Sequence, residues 1–362
     1  MAQQFQTHKR DFSKTQIVDY TDKPLEDGEV RCAVQNYSFT ANNITYAVVG
    51  DRIRYWEFFP PQNSDNAEWG VIPVWGFAEV VESKSEEIAI GEKIFGYFPP
   101  ATSLTIKPTR VSATSLIDAT DHRSSLPPAY NVYRRVTNEA GYNPSFDNER
   151  MLLSPLYLTA FCIDDMFQDR DWFGAEQVVI ISASSKTSIG TAYAIAENDK
   201  SPTLIGLTSS RNIDFVKSIS LYESVVDYKD IETIDATKPT VIVDMSANGE
   251  VLGRLHKHLG DNMKFCSNVG ITHWDDANMG PDFIAERSEQ FFAPGHIVKR
   301  IKDWGGRQFD EKSTQFVVSA SAKSKQWLEI NKVVGLAGLD SVYADVLNGK
   351  ASPKEGIIIS MI

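Results

Sequence analysis

At 362 residues, 42% hydrophobic and 23% charged, the chain has the composition of an ordinary globular protein and the length for two domains. Its formal net charge of −12 argues against non-specific nucleic-acid binding, which needs a basic surface. No apolar run reaches membrane-span length, the start MAQQFQTHKRDF lacks a signal-peptide centre, and Cys32, Cys162 and Cys266 are scattered, so a cytoplasmic chain without membrane contact or disulfides is expected.

Up to about residue 120, short β-type runs are separated by turn residues: Gln16–Tyr20, Glu29–Asn36, Trp75–Glu82, Lys93–Tyr97 and Ser103–Lys107. Pro60-Pro61, Gly70, Pro73, Gly91 and Pro99-Pro100 punctuate them, as in a small twisted β-domain. Residues 120–150 are polar and proline-interrupted and read as an ordered excursion between two domains. From Met151 onward helix and strand alternate. A helix over Leu153–Met166 precedes strand Val178–Ile181, helix Ser188–Glu197, strand Thr203–Leu207 and helix Ile213–Ile219. Strands Ser224–Asp227 and Thr240–Asp244, helix Gly249–Leu259 and strand Lys264–Ser267 follow. Apolar strands alternating with helices predict a doubly wound parallel sheet. The C-terminal stretch predicts helices over Lys323–Ala337 and Asp340–Leu347 and a terminal strand, Gly356–Met361.

The segment Gln177–Asn198, QVVIISASSKTSIGTAYAIAEN, has the form of a strand, a phosphate-binding turn and a helix whose N-terminus faces the turn. Free N–H groups and the positive dipole end there suit a pyrophosphate. The glycine fingerprint is imperfect. Ser184 and Thr187 stand at its first two places and only Gly190, which allows close packing of the helix on its strand, remains. Lys186 lies in the loop, where an ammonium can reach a phosphate. After the second strand come Ser209, Ser210 and Arg211, with no acid in Leu207–Asn212 to take a ribose hydroxyl. Small hydroxyls beside a guanidinium fit a 2′-phosphate, so NADP(H) is the expected cofactor; the bland alternative makes Ser210 a helix cap and Arg211 solvated surface.

Together these segments resemble the medium-chain dehydrogenase/reductase superfamily, in its zinc-independent quinone oxidoreductase and enoyl reductase branch. The likeness is carried by Ile88–Pro99 (IAIGEKIFGYFP), by Gln177–Asn198, by Leu204–Tyr228 (LIGLTSSRNIDFVKSISLYESVVDY) and by Val342–Ile359 (VYADVLNGKASPKEGIII). It is weak over residues 110–150 and 272–320. The resemblance implies an α/β protein: a Rossmann domain over residues 151–309, and a GroES-like, mostly β substrate domain over 1–150 completed by 310–362. It implies hydride transfer from NADPH to an activated C=C or C=O of an apolar small-molecule substrate of the quinone or enone/enal type. It also implies a homodimer, with Gln290–Ile297 as a pairing segment. Thr40–Gly50 (TANNITYAVVG) matches the zinc-bearing run of other members, with Thr40 at the cysteine and Asn43 at the aspartate, and Trp75-Gly76 brings no histidine, so no metal is expected.

Without a metal, a tyrosine hydroxyl or an amide must meet the charge that hydride addition creates. Tyr46 and Tyr55, with Asn42 or Asn43, lie in or just after the implied catalytic segment and are expected to face the nicotinamide; Trp56 adjoins them. The competing account is that these tyrosines are core residues with a polar end outside. His122, Tyr130, Tyr133 and Arg134 form either part of a cleft cover or a buried salt-bridge cluster. The resemblance places backbone groups of Asn268, Gly270 and Thr272 at the nicotinamide carboxamide; His273 follows the fifth strand closely enough to face the nicotinamide end, and Ser246-Ala247-Asn248, after the fourth strand, lies on the same edge. His256 and His258 read as cations at a helix C-terminus and His296 as a loop residue. A different class of function also fits: a non-catalytic NADPH-binding sensor or interaction protein, which the degenerate loop permits.

Overall fold

The computed structural model describes residues 1–270 and 281–361, and the chain forms two compact units. The first comprises Met1–Leu152 and Leu328–Ile362, the second Leu153–Trp327.

The first unit begins with β1 (Ala2–His8), β2 (Asp11–Tyr20) and β3 (Val30–Ser38). In β3, buried Val30, Cys32 and Val34 alternate with half-buried neighbours, the period of a strand with one face inward. Helix α1 (Ala41–Val48) follows, then β4 (Trp69–Gly70), β5 (Val74–Ser83), β6 (Lys93–Phe98), β7 (Ser103–Ile106), β8 (Pro108–Thr109), β9 (Ser115–Asp118) and β10 (Val132–Arg135). The stretch 120–150, expected as an excursion between domains, contributes β10, which pairs with β6 on one side and β9 on the other. Its anchor is Arg123. That guanidinium is buried, bonds Asp118 at 2.8 Å, and also donates to Asn131 Oδ1, Tyr133 Oη and the Tyr130 carbonyl. The expected salt-bridge cluster thus exists but is centred on Arg123, while His122 is exposed.

In the second unit, α2 (Asp147–Asp169), which starts in the first, leads to β11 (Gln177–Ile181), α3 (Lys186–Ala196), β12 (Thr203–Thr208), α4 (Ile213–Ile219) and β13 (Ser224–Asp227). Strand β14 (Thr240–Asp244), helix α5 (Gly249–Leu259), strands β15 (Met263–Asn268) and β16 (Ser288–Gln290), and helices α6 (Ala293–Trp304) and α7 (Gly306–Ser324) complete it. The sheet runs β13-β12-β11-β14-β15-β16 with every pair parallel. Alternate residues of β11 enter opposite cores. Val179 and Ile181 meet Leu252, Leu255 and Leu259 of α5, while Val178 and Ile180 meet Ile163 and Phe167 of α2 and Ile195 of α3. Burying each such side chain contributes about 1.5–3 kcal/mol, which is why these strands are apolar throughout.

The chain returns with β17 (Glu329–Val334), α8 (Gly335–Leu347) and β18 (Glu355–Ser360). The larger sheet of the first unit runs β17-β18-β3-β5-β6-β10-β9-β8, with β7 also on β3. The helix expected over Lys323–Ala337 is therefore wrong. Leu328, Ile330 and Val333 mimic a helical stripe, but β17 pairs in parallel along β18, and Gly335 at φ 67° breaks the backbone before α8. Tertiary pairing overrides the local pattern.

Among the described residues, no helix is long and apolar enough to cross a membrane. Asp164, on α2, is buried; Gln168 Nε2 donates to its Oδ2 at 2.6 Å, and Oδ1 has no partner among the described residues. Burial raises its pKa from 3.8 to about 7. A folded-state value above the unfolded one means the protonated carboxyl adds stability below about pH 4 that is lost as pH rises through about 7. Asp164→Asn should flatten the pH dependence of the urea midpoint across that interval. An unchanged slope would show that Asp164 does not titrate there.

Candidate functional site

In the parallel sheet the order reverses between β11 and β14, so the loops leaving their carboxyl ends turn to opposite faces and leave a crevice. After β11, Ser182 takes φ 61° and Ala183 N–H donates to the Leu207 carbonyl at 3.1 Å. Ser185 then caps α3, its Oγ accepting from Ser188 N–H at 3.2 Å. The helix starts at Lys186, earlier than the expected Ser188, so Lys186 and Thr187 belong to its first turn. Ser184 is buried, and its hydroxyl accepts from Asn212 Nδ2 at 3.0 Å, tying this loop to the turn after β12. Gly190 sits where a Cβ would lie 2.4 Å from Tyr157 Cδ1 and 3.2 Å from Ala160 Cβ. The close approach that needs a glycine is therefore to α2 rather than to the strand.

Ser209, Ser210 and Arg211 form the turn after β12, with Ser210 and Arg211 exposed. Three residues that the sequence reading passed over stand around them. Asn212 Nδ2 also reaches Ser209 Oγ at 3.3 Å. Tyr228, just past β13, is hydrogen-bonded to Ser182, with Arg211 and Asp244 close enough to act on its hydroxyl electrostatically. Asp227 accepts from the Ser210 hydroxyl and from Lys229 N–H, the latter at 3.1 Å. The sequence signal for Asp227 and Tyr228 is their place at the C-terminal end of the next parallel strand, while Asn212 directly follows Arg211.

On the other side of the crevice, Asp244 ends β14 fully buried. Its Oδ1 accepts from Ser246 N–H (2.8 Å) and Ser246 Oγ (2.6 Å), while Oδ2 has no partner among the described residues. Burial raises its pKa. The Asp244 carbonyl accepts from Val269 N–H at 2.8 Å and Gly270 N–H at 2.9 Å, which closes the β14 and β15 loops on each other. A Cβ on Gly270 would lie 2.9 Å from the Met245 carbonyl carbon, so only glycine fits. The buried Asn268 amide donates to the Glu289 carbonyl at 3.5 Å, toward β16. Asn248 caps α5 through Glu250 and Val251 N–H. Thr272 and His273 lie outside the described residues.

The aromatic candidates gather in the first unit. Tyr46 Oη accepts from Asn42 Nδ2 at 2.8 Å and from Trp75 Nε1 at 3.1 Å, and among the described residues no acceptor takes its own proton. The Tyr46 and Tyr55 rings are 4.7 Å apart, and the Tyr55 and Tyr130 hydroxyls bond each other at 2.7 Å. Tyr97, Phe58 and Trp75 enclose the Tyr130 ring. Burial raises the pKa of Tyr46, Tyr55 and Tyr130, so all three keep their protons at neutral pH. Asn43 differs from Asn42. It is buried, its Oδ1 accepts from Thr40 N–H at 2.8 Å and its Nδ2 donates to the Pro73 carbonyl at 2.8 Å, so the amide holds the start of α1. Trp56 is core, wedged where Gly50 and Gly70 leave no room for a Cβ. Tyr133 is buried over Gly96 and donates to the Tyr97 carbonyl at 2.6 Å.

His122, His256, His258 and His296 have structural partners. His122 Nε2 lies 3.1 Å from the Phe58 carbonyl. His256 is not a helix-end cation: it is fully buried, burial pushes its pKa down to about 4, and its Nδ1 accepts from Ile284 N–H at 3.0 Å. His258 Nε2 is 2.7 Å from the Ile234 carbonyl. His296 lies in α6 rather than a loop and meets Asp165 at 2.6 Å. Among the described residues, no three His, Cys, Asp or Glu side chains form a group that could hold a metal ion.

A family described as "Protein of unknown function (DUF2855)" matches residues 37–352. The chain belongs to it. No curated protein matches. Among solved structures, the chain is similar to CurA from Vibrio vulnificus in complex with NADPH, at 12% identity over 99% of each chain with a TM-score of 0.64. It is similar to a mutant enoyl thioester reductase from Candida tropicalis (12% identity, 99% of each chain, TM-score 0.58). A glucose dehydrogenase mutant from Haloferax mediterranei is a further similar structure (10%, 99% of each chain, 0.56). These likenesses show the fold. The Rossmann-type parallel sheet and the GroES-like β-rich unit implied by the resemblance to the medium-chain dehydrogenase/reductase superfamily are both present.

The Gly190 contact gives a direct test of the α2–α3 packing. Gly190→Ala forces a methyl group against the Tyr157 ring and should destabilise the parallel-sheet unit by about 1–3 kcal/mol. Denaturation followed by tryptophan fluorescence would read it, and an unshifted midpoint would mean that the ring yields freely.

Proposed function

We propose that this chain is an NADPH-dependent oxidoreductase that reduces an activated C=C or C=O of an apolar small molecule, of the quinone or enone/enal type, without zinc. The observation that carries the reading is the crevice between β11 and β14, flanked by the Ser185-capped start of α3 and the Ser209–Arg211 turn. The NADPH held by CurA, which shares this fold, supports the choice of cofactor.

The residues present fit a dinucleotide. Small side chains from Ser182 to Ser185 leave the backbone approachable, the first turn of α3 brings positive dipole and Lys186, and Gly270 leaves room where any Cβ would clash. Ser184, Lys186, Thr187 and Gly190 would build the pyrophosphate end, Ser209, Ser210 and Arg211 the ribose phosphate, and Asn268 and Gly270 the carboxamide. Because the Gly270 N–H is already bonded to the Asp244 carbonyl, Gly270 would offer its own carbonyl as an acceptor. A bound nicotinamide supplies hydride. Tyr46 then gives its proton to the anion that hydride addition creates on the substrate, and water restores it. Two hydrogen bonds donated to Tyr46 Oη stabilise the phenolate left behind, which suits Tyr46 to this role before Tyr55, whose hydroxyl is shared with Tyr130. Asn42 positions the hydroxyl, and Asn43 acts through the α1 backbone. Residence in a reducing cytoplasm and self-association through Gln290–Ile297, beside edge strand β16, complete the reading; the three cysteines are free and buried.

Tyr46→Phe should lower NADPH-dependent turnover of a quinone or enal by about 10²–10³ and leave NADPH affinity unchanged. Equal turnover in the variant would move the proton donor to Tyr55. NADPH binding without turnover against a broad panel of quinones and enals would favour the sensor instead.

For the metal, Thr40 and Asn43 hold α1 where other members of the resembled superfamily place ligands. Elemental analysis of purified protein should find no stoichiometric zinc, and chelators should leave activity intact. One zinc per chain would overturn this part.

A further inference from the structure

Strands β12 and β13 pair in parallel, and their last matched residues are Thr208 and Asp227. This register brings a carboxylate to the turn that carries Ser209, Ser210 and Arg211, although no acid occurs within that turn. The Asp227 side chain is only 11% exposed; it accepts from the Ser210 hydroxyl and from Lys229 N–H, and the Lys229 ammonium lies 3.6 Å from Oδ2. Lys229 is itself 70% exposed, so its charge is largely screened by water. A 2′-phosphate bonded to Ser210 would have to win that hydroxyl from Asp227 and then lie beside a like charge.

We propose that Asp227 sets the cofactor selectivity of this site: its carboxylate holds Ser210 and opposes a 2′-phosphate, so that the preference for NADPH over NADH stays small. This rests on the dinucleotide reading above. Arg211 attracts the phosphate and Asp227 restrains it, and the ratio of the two affinities reports their balance. Neutralising Asp227 removes the charge that opposes the phosphate and frees the Ser210 hydroxyl to donate to it.

The experiment is a fluorescence titration of NADPH and NADH, with 2′,5′-ADP and 5′-AMP as fragments that differ by the phosphate, on the unmodified chain and on Asp227→Asn. The variant is close to isosteric, and its melting temperature is recorded alongside. In Asp227→Asn, NADPH and 2′,5′-ADP should bind about tenfold more tightly while NADH and 5′-AMP are unmoved, and the gain should shrink in high salt. A Ser210→Ala variant separates the two parts of the argument: it loses the hydroxyl but keeps the opposing charge, so it should not tighten NADPH. If Asp227→Asn leaves the NADPH to NADH ratio unchanged or lowers it, the role of Asp227 is overturned and the dinucleotide reading stands. If the unmodified chain binds none of the four, the dinucleotide reading itself falls and this inference with it.

Discussion

The carboxyl edge of the parallel sheet is shaped by a reversal of winding. In a parallel sheet each crossover is right-handed, so the chain can cover both faces only by changing the direction in which it adds strands. Here that change falls between β11 and β14. The two loops at the reversal part beyond the backbone ends of Ile181 and Asp244. Ser182 in a left-handed conformation, the Ser185 cap and the Asp244 oxygen that has no partner among the described residues all lie at this edge. The Gly190–Tyr157 contact then holds α3 against α2, and with it the direction of the helix N-terminus.

Desolvation governs both units. Buried phenols in the first unit are kept neutral, and the Tyr46 oxygen among them accepts two hydrogen bonds. In the second unit the same effect makes Asp164 and Asp244 weak acids and leaves His256 uncharged. The buried Asp118–Arg123 pair is tolerated because Asn131, Tyr133 and the Tyr130 carbonyl take three further guanidinium donors. That network anchors β10 and the residues beside Tyr130, so a polar cluster that reads as a cleft cover in sequence serves as scaffold for the aromatic group.

What could be read directly from sequence is whatever a local period encodes. Strands buried on both faces and amphipathic helices carry their pattern in consecutive residues, and Ser224–Asp227, Thr240–Asp244 and Gly249–Leu259 begin and end where that pattern does. The strand-turn-helix at Gln177–Asn198 was legible for the same reason, including its glycine, and the resemblance built on these segments reached the right fold. Tyr46, Tyr55 and Asn42 were legible as polar groups of one aromatic segment.

Tertiary structure decided everything that depends on a neighbour distant in sequence. Strand β17 hides in a helical stripe because its reason to extend is β18, more than twenty residues on. Asn43 and Asn42 are adjacent in the chain, yet α1 turns one toward the Pro73 carbonyl and the other toward Tyr46. Asp227 is absent from the turn it acts on and arrives through the register of a parallel pair. Local sequence specifies period and caps because those interactions close within a few residues; the charge and the donor at a site are set by which strands pair, and that choice belongs to the folded chain.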